Sequence, residues 1–569
     1  MPLRRLTALT AAAAALAPAA AAHAAPGDTT LVSRASGAAG ALADSTVFSP
    51  KISADGSTVM FSTQAENLGG FDEDDTIDVY SRSLAANLTS LVSAGDNPMP
   101  ALPDQGGDEH SSGQSVSADG RFVAFVSDST NLSPDDEDGV GDVFVRDRLT
   151  NTTELISRDD GMAGDPADGD SRRPSISADG RFVAFESDAT NLSNADEDDT
   201  SDIFVRDRQL HQTALVSHRE LDGGDDDSTH PAISPDGNTI AFYSQATNLS
   251  DQDLNDVTDV FAHNRVTYDI ELVSRDSAGT PANAGPNSSA ALALSHDGNR
   301  IAFISAATNL APGDGPSVDV FLRDQAATAT TLVSPGNAAS FQPAMSADGT
   351  KVAFHSYATN LSPDDTDIAG DVYVHDLATG AISLESRTSA GVKANGPSGS
   401  VSMTADGRTI AYTSTAANLG ATGPTQAFVR EIPPPAVPAG GEGSTPGGSP
   451  QNAGTPAALP GQPASAPAKP RVRRTGKLRL GKQASTCLRR QRLVLPLKLV
   501  GATPGVRITS TRVQVLGRNR IARFLNRKTA RRPVVRKLGG RKVRVHIMAR
   551  TNLGRTVTLT KTFRACRTR

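Results

Sequence analysis

Tryptophan is absent from the 569 residues, aromatics make up only 4%, and there are just two cysteines. A chain this long cannot rest on one core, so at least two domains are required. Two cysteines exclude a disulfide-dense scaffold and a zinc ribbon, leaving room for one bridge. Past the N-terminus no apolar run reaches the roughly 18 residues that a membrane-crossing helix needs. Common catalytic signatures are missing too: there is no His-Glu-x-x-His, no Gly-x-Ser-x-Gly, no Gly-x-x-x-x-Gly-Lys-Ser/Thr and no Cys-x-x-Cys. One absence is local. Residues 471–569 contain no Asp or Glu but 30 of the 55 Lys and Arg, a charge of +30, while the other 25 basic and 63 acidic residues leave −38 on the rest. The formal net charge of −8 therefore conceals two opposite fields.

What is present begins with an address. Arg4 and Arg5 precede an Ala/Leu-rich run, and Ala22-His23-Ala24 has the small-x-small form of a cleavage site, so residues 1–24 read as a secretory signal peptide. The mature chain is then expected to be secreted or associated with the cell envelope.

A repeat dominates the next 400 residues or so. Ser/Thr-x-Asp-Gly recurs with its Asp at 55, 119, 179, 236, 297, 348 and 406. Each copy leads into a strand such as Arg121-Phe-Val-Ala-Phe-Val-Ser127, then an Asn-Leu pair, an acidic loop, and a third strand such as Asp142-Val-Phe-Val-Arg-Asp147. A fourth strand ends in Leu-Val-Ser or a variant of it. Asp-Gly between two β-rich runs is a hairpin signal, because Gly tolerates the positive φ of a tight turn. Each repeat is thus a four-stranded antiparallel meander. Such a unit cannot bury both faces alone, and radial packing of several copies supplies the missing partners. The last copy, Val401 to Glu431, has no fourth strand, whereas an unclaimed strand at Thr29 to Arg34 precedes the first. That strand is expected to complete blade seven and close a seven-bladed β-propeller over residues 25–431.

Ser-Ala-Asp-Gly-Arg-x-Val-Ala-Phe-x-Ser followed by Asp-Val-Phe-Val-Arg-Asp resembles the TolB-like propeller repeat, a relative of the tryptophan-aspartate repeat without its signature pair. The resemblance covers roughly residues 29–431. It implies a protein-interaction platform, with polyuronate lyases and non-catalytic halves of peptidases among similar propellers, and a scaffold of this kind does not itself fix an activity.

Residues 432–470 are almost all Pro, Gly, Ala and Ser, a linker that could stretch to on the order of 100 Å. The basic segment 471–569 alternates short apolar strands with Gly or Pro turns and is expected to form a small immunoglobulin-like β-sandwich. Cys487 and Cys566 bracket its strands, and in an exported chain they are expected to form a disulfide. The whole chain is read as all-β.

Two sets of residues are candidates for function. Six residues before each hairpin Asp, where the channel-lining strand begins, stand Ser49, Gly113, Arg173, His230, Ala291, Gln342 and Ser400. This column varies while its flanks repeat, so Arg173, His230 and Gln342 are the candidate ligand-binding residues; the alternative is ordinary solvent-facing loop residues. The acidic loops carry Asp72, Asp74 and Asp78; Asp136, Asp138 and Asp142; Asp196, Asp198 and Asp202; Asp253, Asn255 and Asp259; and Asp365, Asp367 and Asp371. Closely spaced carboxylates suit Ca²⁺, although the bidentate Glu of an EF-hand is missing; the alternative is that the third Asp caps the strand-entry turn and the others form a solvated acidic face. No cofactor is required by any motif.

The reading that follows is an exported, non-enzymatic scaffold that binds a protein or glycan, held at an anionic envelope polymer by the +30 module. Docking of that module on the acidic propeller is a further alternative. Its few aromatics offer little for base stacking, which argues against specific nucleic-acid recognition. A polyuronate lyase using His230 and Arg173 in the channel is the rival from another class.

Overall fold

In a computed structural model, residues 25–433 are described apart from the short loop segments 70–74, 97–105, 137–138, 163, 194–199, 220–221, 254 and 287–290; beyond residue 433 the description is limited to the backbone of strands between 477 and 565. The chain divides into two units, Met1–Ala436 and Val437–Arg569.

The first unit contains seven four-stranded antiparallel sheets. Blades one to six each run through four consecutive strands, as in Ser171–Ile176, Phe182–Ser187, Asp202–Asp207 and Gln212–Leu215 of blade three. The first strands of successive blades lie side by side in a closed circle and line the axis. Blade seven takes Ser398–Met403, Thr409–Ser414 and Gln426–Glu431 from the end of the repeat region and Thr29–Leu31 from its beginning. Thr29, Thr30 and Leu31 pair antiparallel with Arg430, Val429 and Phe428. The arrangement is the seven-bladed propeller that the repeats imply, and the closing strand is three residues long.

Local chemistry explains each element of the repeat. In the Asp-Gly turns the Gly residues have φ between 65° and 73°, and the Asp carboxylate accepts both the preceding Ser or Thr hydroxyl and the backbone N–H two residues on, as at Asp55, Asp179 and Asp297. The Asn of each Asn-Leu pair reaches the loop that enters its own blade; Asn131 Nδ2 donates to the Gly106 carbonyl at 3.1 Å and Asn191 Nδ2 to Pro166 at 2.7 Å. The following Leu is buried in blades one to five, as Leu68, Leu132, Leu192, Leu249 and Leu310, and partly buried in blades six and seven, as Leu361 and Leu419. Directly opposed aromatics on the second and third strands stack in every blade, from Phe61 on Tyr80 to Tyr412 on Phe428. These pairs fill the space between blades without any tryptophan.

Two bonding systems join blade to blade. At the hairpin end of the channel, backbone N–H groups pass hydrogen bonds around the whole ring: Asp55 to Ala118, Ala118 to Ala178, Ala178 to Pro235, Asp236 to His296, His296 to Ala347, Ala347 to Ala405 and Ala405 to Ala54, all between 2.8 and 3.1 Å. Farther out, a buried arginine on the third strand clasps the loop arriving from the previous blade. Arg206, 1% exposed, donates to the carbonyls of Asp159 and Gly161 at 2.7 Å and to the Thr213 hydroxyl. Arg82, Arg146, Arg323 and Arg430 act alike, while His263 and His375 hold the equivalent strand positions in blades four and six.

In the second unit, a five-stranded sheet contains Cys487–Leu488, Thr556–Ala565, Lys542–Thr551, Ile508–Leu516 and Arg520–Phe524, in that order, beside two two-stranded ribbons. Cys487–Leu488 runs parallel to the last strand, opposite Arg564 and Ala565, which brings Cys487 to the strand that ends just before Cys566; Cys566 itself lies outside the described residues.

Leu31→Ala is expected to destabilise the propeller by about 2–4 kcal/mol, and deletion of Thr29–Leu31 by more, as measured by chemical denaturation. An unchanged midpoint would mean that the N-terminal strand does not close the ring.

Candidate functional site

Six of the seven column positions share a backbone peculiarity. Ser49, Arg173, His230, Gln342 and Ser400 have φ of 46°, 53°, 54°, 53° and 50°, and Gly113 has 66°. Each lies where the pairing of the first and second strands slips by a residue, for example between Arg172 and Ser175. These are β-bulges with an αL residue, a place where glycine is free of strain and other L-residues bear about 1–2 kcal/mol. Only blade two uses glycine. Ala291 follows the undescribed residues 287–290; the Tyr243 hydroxyl donates to its carbonyl at 3.1 Å. Six residues of strand separate this bulge ring from the hairpin ring, about 20 Å, so the two rings mark opposite ends of the channel.

The bulge side chains differ in what they do. Glu186 on the second strand of blade three has a side chain only 1% exposed, and it accepts Arg172 Nε and Arg173 Nη1, each at 2.7 Å. Its other oxygen accepts the His230 backbone N–H at 2.9 Å. Arg172 is further paired with Asp188 and the Ser201 hydroxyl. Arg173 and His230 are thus drawn together across the blade three and blade four boundary, with Arg173 still 43% exposed at its side chain. Burial, helped by the Arg173 charge and opposed by Glu186, pushes the His230 imidazole down to about 4, so it is neutral at pH 7. Gln342 has a different partner, accepting the Ser400 backbone N–H at 2.9 Å. Around Gln342 the rim is aromatic: Tyr357 meets His355 edge-on at 4.8 Å and Phe341 at 6.4 Å, and it is 47% exposed.

One channel residue carries a signal that the column of bulge residues misses. Two positions further along the first strand stand Lys51, Ser115, Ser175, Ala232, Ala293, Ala344 and Ser402. Lys51 is the single charge in that row. Its surface is accessible within the lumen, yet the channel walls surround it, and the resulting desolvation lowers its pKa. Aligning the seven repeats on their Asp-Gly turns would have exposed it.

The acidic loops show a second repeated bond. The third carboxylate of each loop opens the third strand and accepts a hydroxyl from the fourth: Ser93 to Asp78, Ser157 to Asp142, Ser217 to Asp202, Ser274 to Asp259 and Ser386 to Asp371. These third aspartates are buried at the strand entry; of the other loop positions, Asp136 and Asp365 are buried and Asp367 is exposed. Asp72, Asp74, Asp138, Asp196 and Asp198 lie outside the described residues. Blade five keeps Asp314 and Asp319 of the pattern, with Ser334 donating to Asp319, whereas blade seven substitutes Gln426. Burial is the main cause that pushes Asp259 up to about 7 and Asp319 up to about 6. In blade six, Asp365, Asp367 and Asp371 converge, and the Lys393 ammonium sits among them at 3.6, 2.9 and 2.8 Å.

No family model and no curated protein matches the chain. Among solved structures, TolB from Acinetobacter baumannii is similar over 60% of this chain and 63% of its own, at 15% identity and a TM-score of 0.33. A putative TolB from Agrobacterium tumefaciens matches over 58% and 92%, at 15% identity and 0.33. Porphyromonas gingivalis dipeptidyl peptidase 4 matches over 64% of this chain and 48% of its own, at 16% identity and 0.36. The architecture rests on the strand pairing described above. Among the described residues, no helix is long and apolar enough to cross a membrane.

Two expectations follow. Gly113→Ala has room for its Cβ, the nearest neighbour being Val126 at 3.6 Å, so its cost should be conformational alone, about 1 kcal/mol; denaturant titration checks this. An unfolded histidine titrates near about 6.5, whereas folded His230 titrates at about 4. Its contribution to stability is complete above the first value and lost as pH falls toward the second. NMR should show its ring neutral at pH 5, Arg173→Ala should raise its pKa, and His230→Gln should flatten this part of the acid limb of the stability profile.

Proposed function

We propose that the chain is an exported, non-enzymatic binding scaffold whose propeller takes a protein or glycan ligand at the bulge-ring mouth of its channel, while residues 471–569 tether it to an anionic envelope polymer. The observation that carries this reading is the bulge ring. A repeated backbone accepts strain at five non-glycine positions, and the side chains so placed differ from blade to blade at one end of the channel. Strain that a glycine would relieve is commonly retained at functional sites. Lys51 in the lumen favours a ligand with acidic groups, Arg173 stands half-exposed on the rim with its charge shared by Glu186, and Tyr357 offers an exposed ring near Gln342.

The tether reading rests on charge. A +30 segment without a single carboxylate attracts polyanions through a field that salt screens within about 10 Å at 0.1 M. Residues 1–24 supply the export signal in this account, and Cys487 and Cys566 the bridge.

The lyase alternative is favoured by one observation, the neutral His230 imidazole beside an arginine. Against it, the Arg172 and Arg173 charges are both engaged by Glu186, and the His230 Nδ1 lies 3.1 Å from the Thr229 hydroxyl.

The test is binding of the full chain to purified cell envelope across a salt series, compared with Arg173→Ala/Gln342→Ala and with a chain ending at 433. The shortened chain should lose a salt-sensitive component of retention, and the double variant should lose a component that survives in salt. Equal retention of all three would overturn the proposal. Release of unsaturated products from polyuronate, abolished by His230→Gln, would replace it with the lyase.

A further inference from the structure

In four blades the fourth strand runs on into a Ser-Arg pair, which gives Arg158, Arg275, Arg387 and, after the closing strand, Arg34. All four form the same isolated bridge across the loop that follows, Arg34 with Leu42 and Arg387 with Lys393 among them, so the positions are equivalent. Three of these arginines meet a side-chain oxygen of their own blade. Arg158 Nη1 donates to Asp135 at 2.8 Å and Arg387 Nη2 to Asp364 at 3.1 Å, while Arg275 donates to the Gln252 side chain and lies 3.9 Å from Glu271.

Blade seven breaks the pair. Asp135, Gln252 and Asp364 each stand four residues after the Asn of their Asn-Leu pair, and after Asn418 that place is Thr422. Arg34 Nη1 donates to the Ala38 carbonyl at 2.9 Å, but among the described residues no carboxylate reaches its guanidinium, and its Nε is buried without a partner. Acids next in the chain are missing as well: Asp159 and Asp160 follow Arg158 and Asp276 follows Arg275, whereas Ala35 and Ser36 follow Arg34. Arg82 brings a second guanidinium to the same place, donating to the Arg34 and Ala35 carbonyls at 3.2 and 3.0 Å. Its pKa is lowered by burial and then by the Arg34 charge, whereas at Arg206 the effect of burial is opposed by Glu154, Asp160 and Asp159.

Both arginines line a cleft of about 510 Å³ between blades seven and one, whose other walls include Leu42, Leu84, Leu419 and Val429. The one carboxylate on its wall, Glu431, lies beside Asp28, six residues before Arg34, and accepts the Thr409 hydroxyl at 2.6 Å. We propose that this cleft binds a small anionic amphiphile, an aliphatic chain with a carboxylate or phosphate head, and that the head meets Arg34 in the role that Asp135 and Asp364 have in other blades. A guanidinium fork matches either head, the leucines take the chain, and the volume is that of a small-molecule pocket. Neither half suffices alone: a bare anion leaves the aliphatic wall in water, and an uncharged chain leaves Arg34 without a counter-charge. The closing strand that borders the cleft is the outermost of its blade, so the site stands apart from the channel mouth and independently of the ligand proposed there.

The test titrates the full chain with decanoate and with decyl phosphate by calorimetry, with decanol, acetate and inorganic phosphate as controls that each keep one feature, and maps a photoreactive decanoate by mass spectrometry. At least one of the two amphiphiles should bind with one equivalent at the cleft, labelling peptides within 25–46 and 409–433, and the controls should bind at least about tenfold more weakly. Arg34→Gln should weaken this binding by about tenfold or more. Thr422→Asp, which restores the ion pair of the other blades, should weaken it likewise while melting no lower than the parent chain. No binding of either amphiphile, label confined to the basic residues 471–569, or equal binding by the parent and both variants would overturn the proposal.

Discussion

The propeller depends on a circle of seven backbone hydrogen bonds. Each links the Asp-Gly turn of one blade to that of the next, from Asp55 and Ala118 round to Ala405 and Ala54. No side chain is needed for these bonds, so the turn sequence can stay constant while everything at the other end of the first strand varies. The circle also ties the blades to one another at the hairpin end of the first strands, which leaves the bulge-ring end as the place where side-chain size and charge can differ. The buried arginines act at a larger radius. Arg206 and its counterparts satisfy loop carbonyls that would otherwise be enclosed without partners, and such groups cost about 1–3 kcal/mol each when left unmade.

Much of this architecture was legible in the repeat. The turn, the second and third strands, and the missing fourth strand of blade seven follow from Ser/Thr-x-Asp-Gly, the alternating apolar runs and one unclaimed strand at the N-terminus. The column of Ser49, Gly113, Arg173, His230, Gln342 and Ser400 was also visible as a variable position. Its left-handed backbone was not, because glycine, the usual mark of positive φ, occurs there only in blade two. Lys51 and Lys393 are not legible in the sequence for a different reason. Each is an ordinary surface residue by type, and only the partners that the fold brings to it, channel walls for one and three aspartates for the other, give it meaning.

The same contrast explains the acidic loops. Read as a line of letters, Asp-x-Asp/Asn-x-x-x-Asp suggests a hydrated, negatively charged loop. In the fold its last carboxylate is inside, fixed by a serine from the neighbouring strand, and burial raises its proton affinity in blades four and five. A repeat protein can thus vary what meets a shared buried acid, by a serine hydroxyl alone or by the Lys393 ammonium as well, without changing the strands around it.

The closing strand has a consequence in time. Synthesis proceeds from the N-terminus at about 5–20 residues per second, so the partner of Thr29 at Arg430 is made roughly 20–80 s later. Throughout that interval Thr29–Leu31 is an open edge capable of pairing with another chain, the hazard that exposed strands carry in general. It takes the outer-edge place, where the other blades also use only three or four residues, and a six-residue strand like most of the inner ones would be a far better template for such mispairing. Three residues suffice to finish the sheet once the rest of blade seven exists and are too few to hold a wrong partner before then, so the shortness of the strand protects the nascent chain.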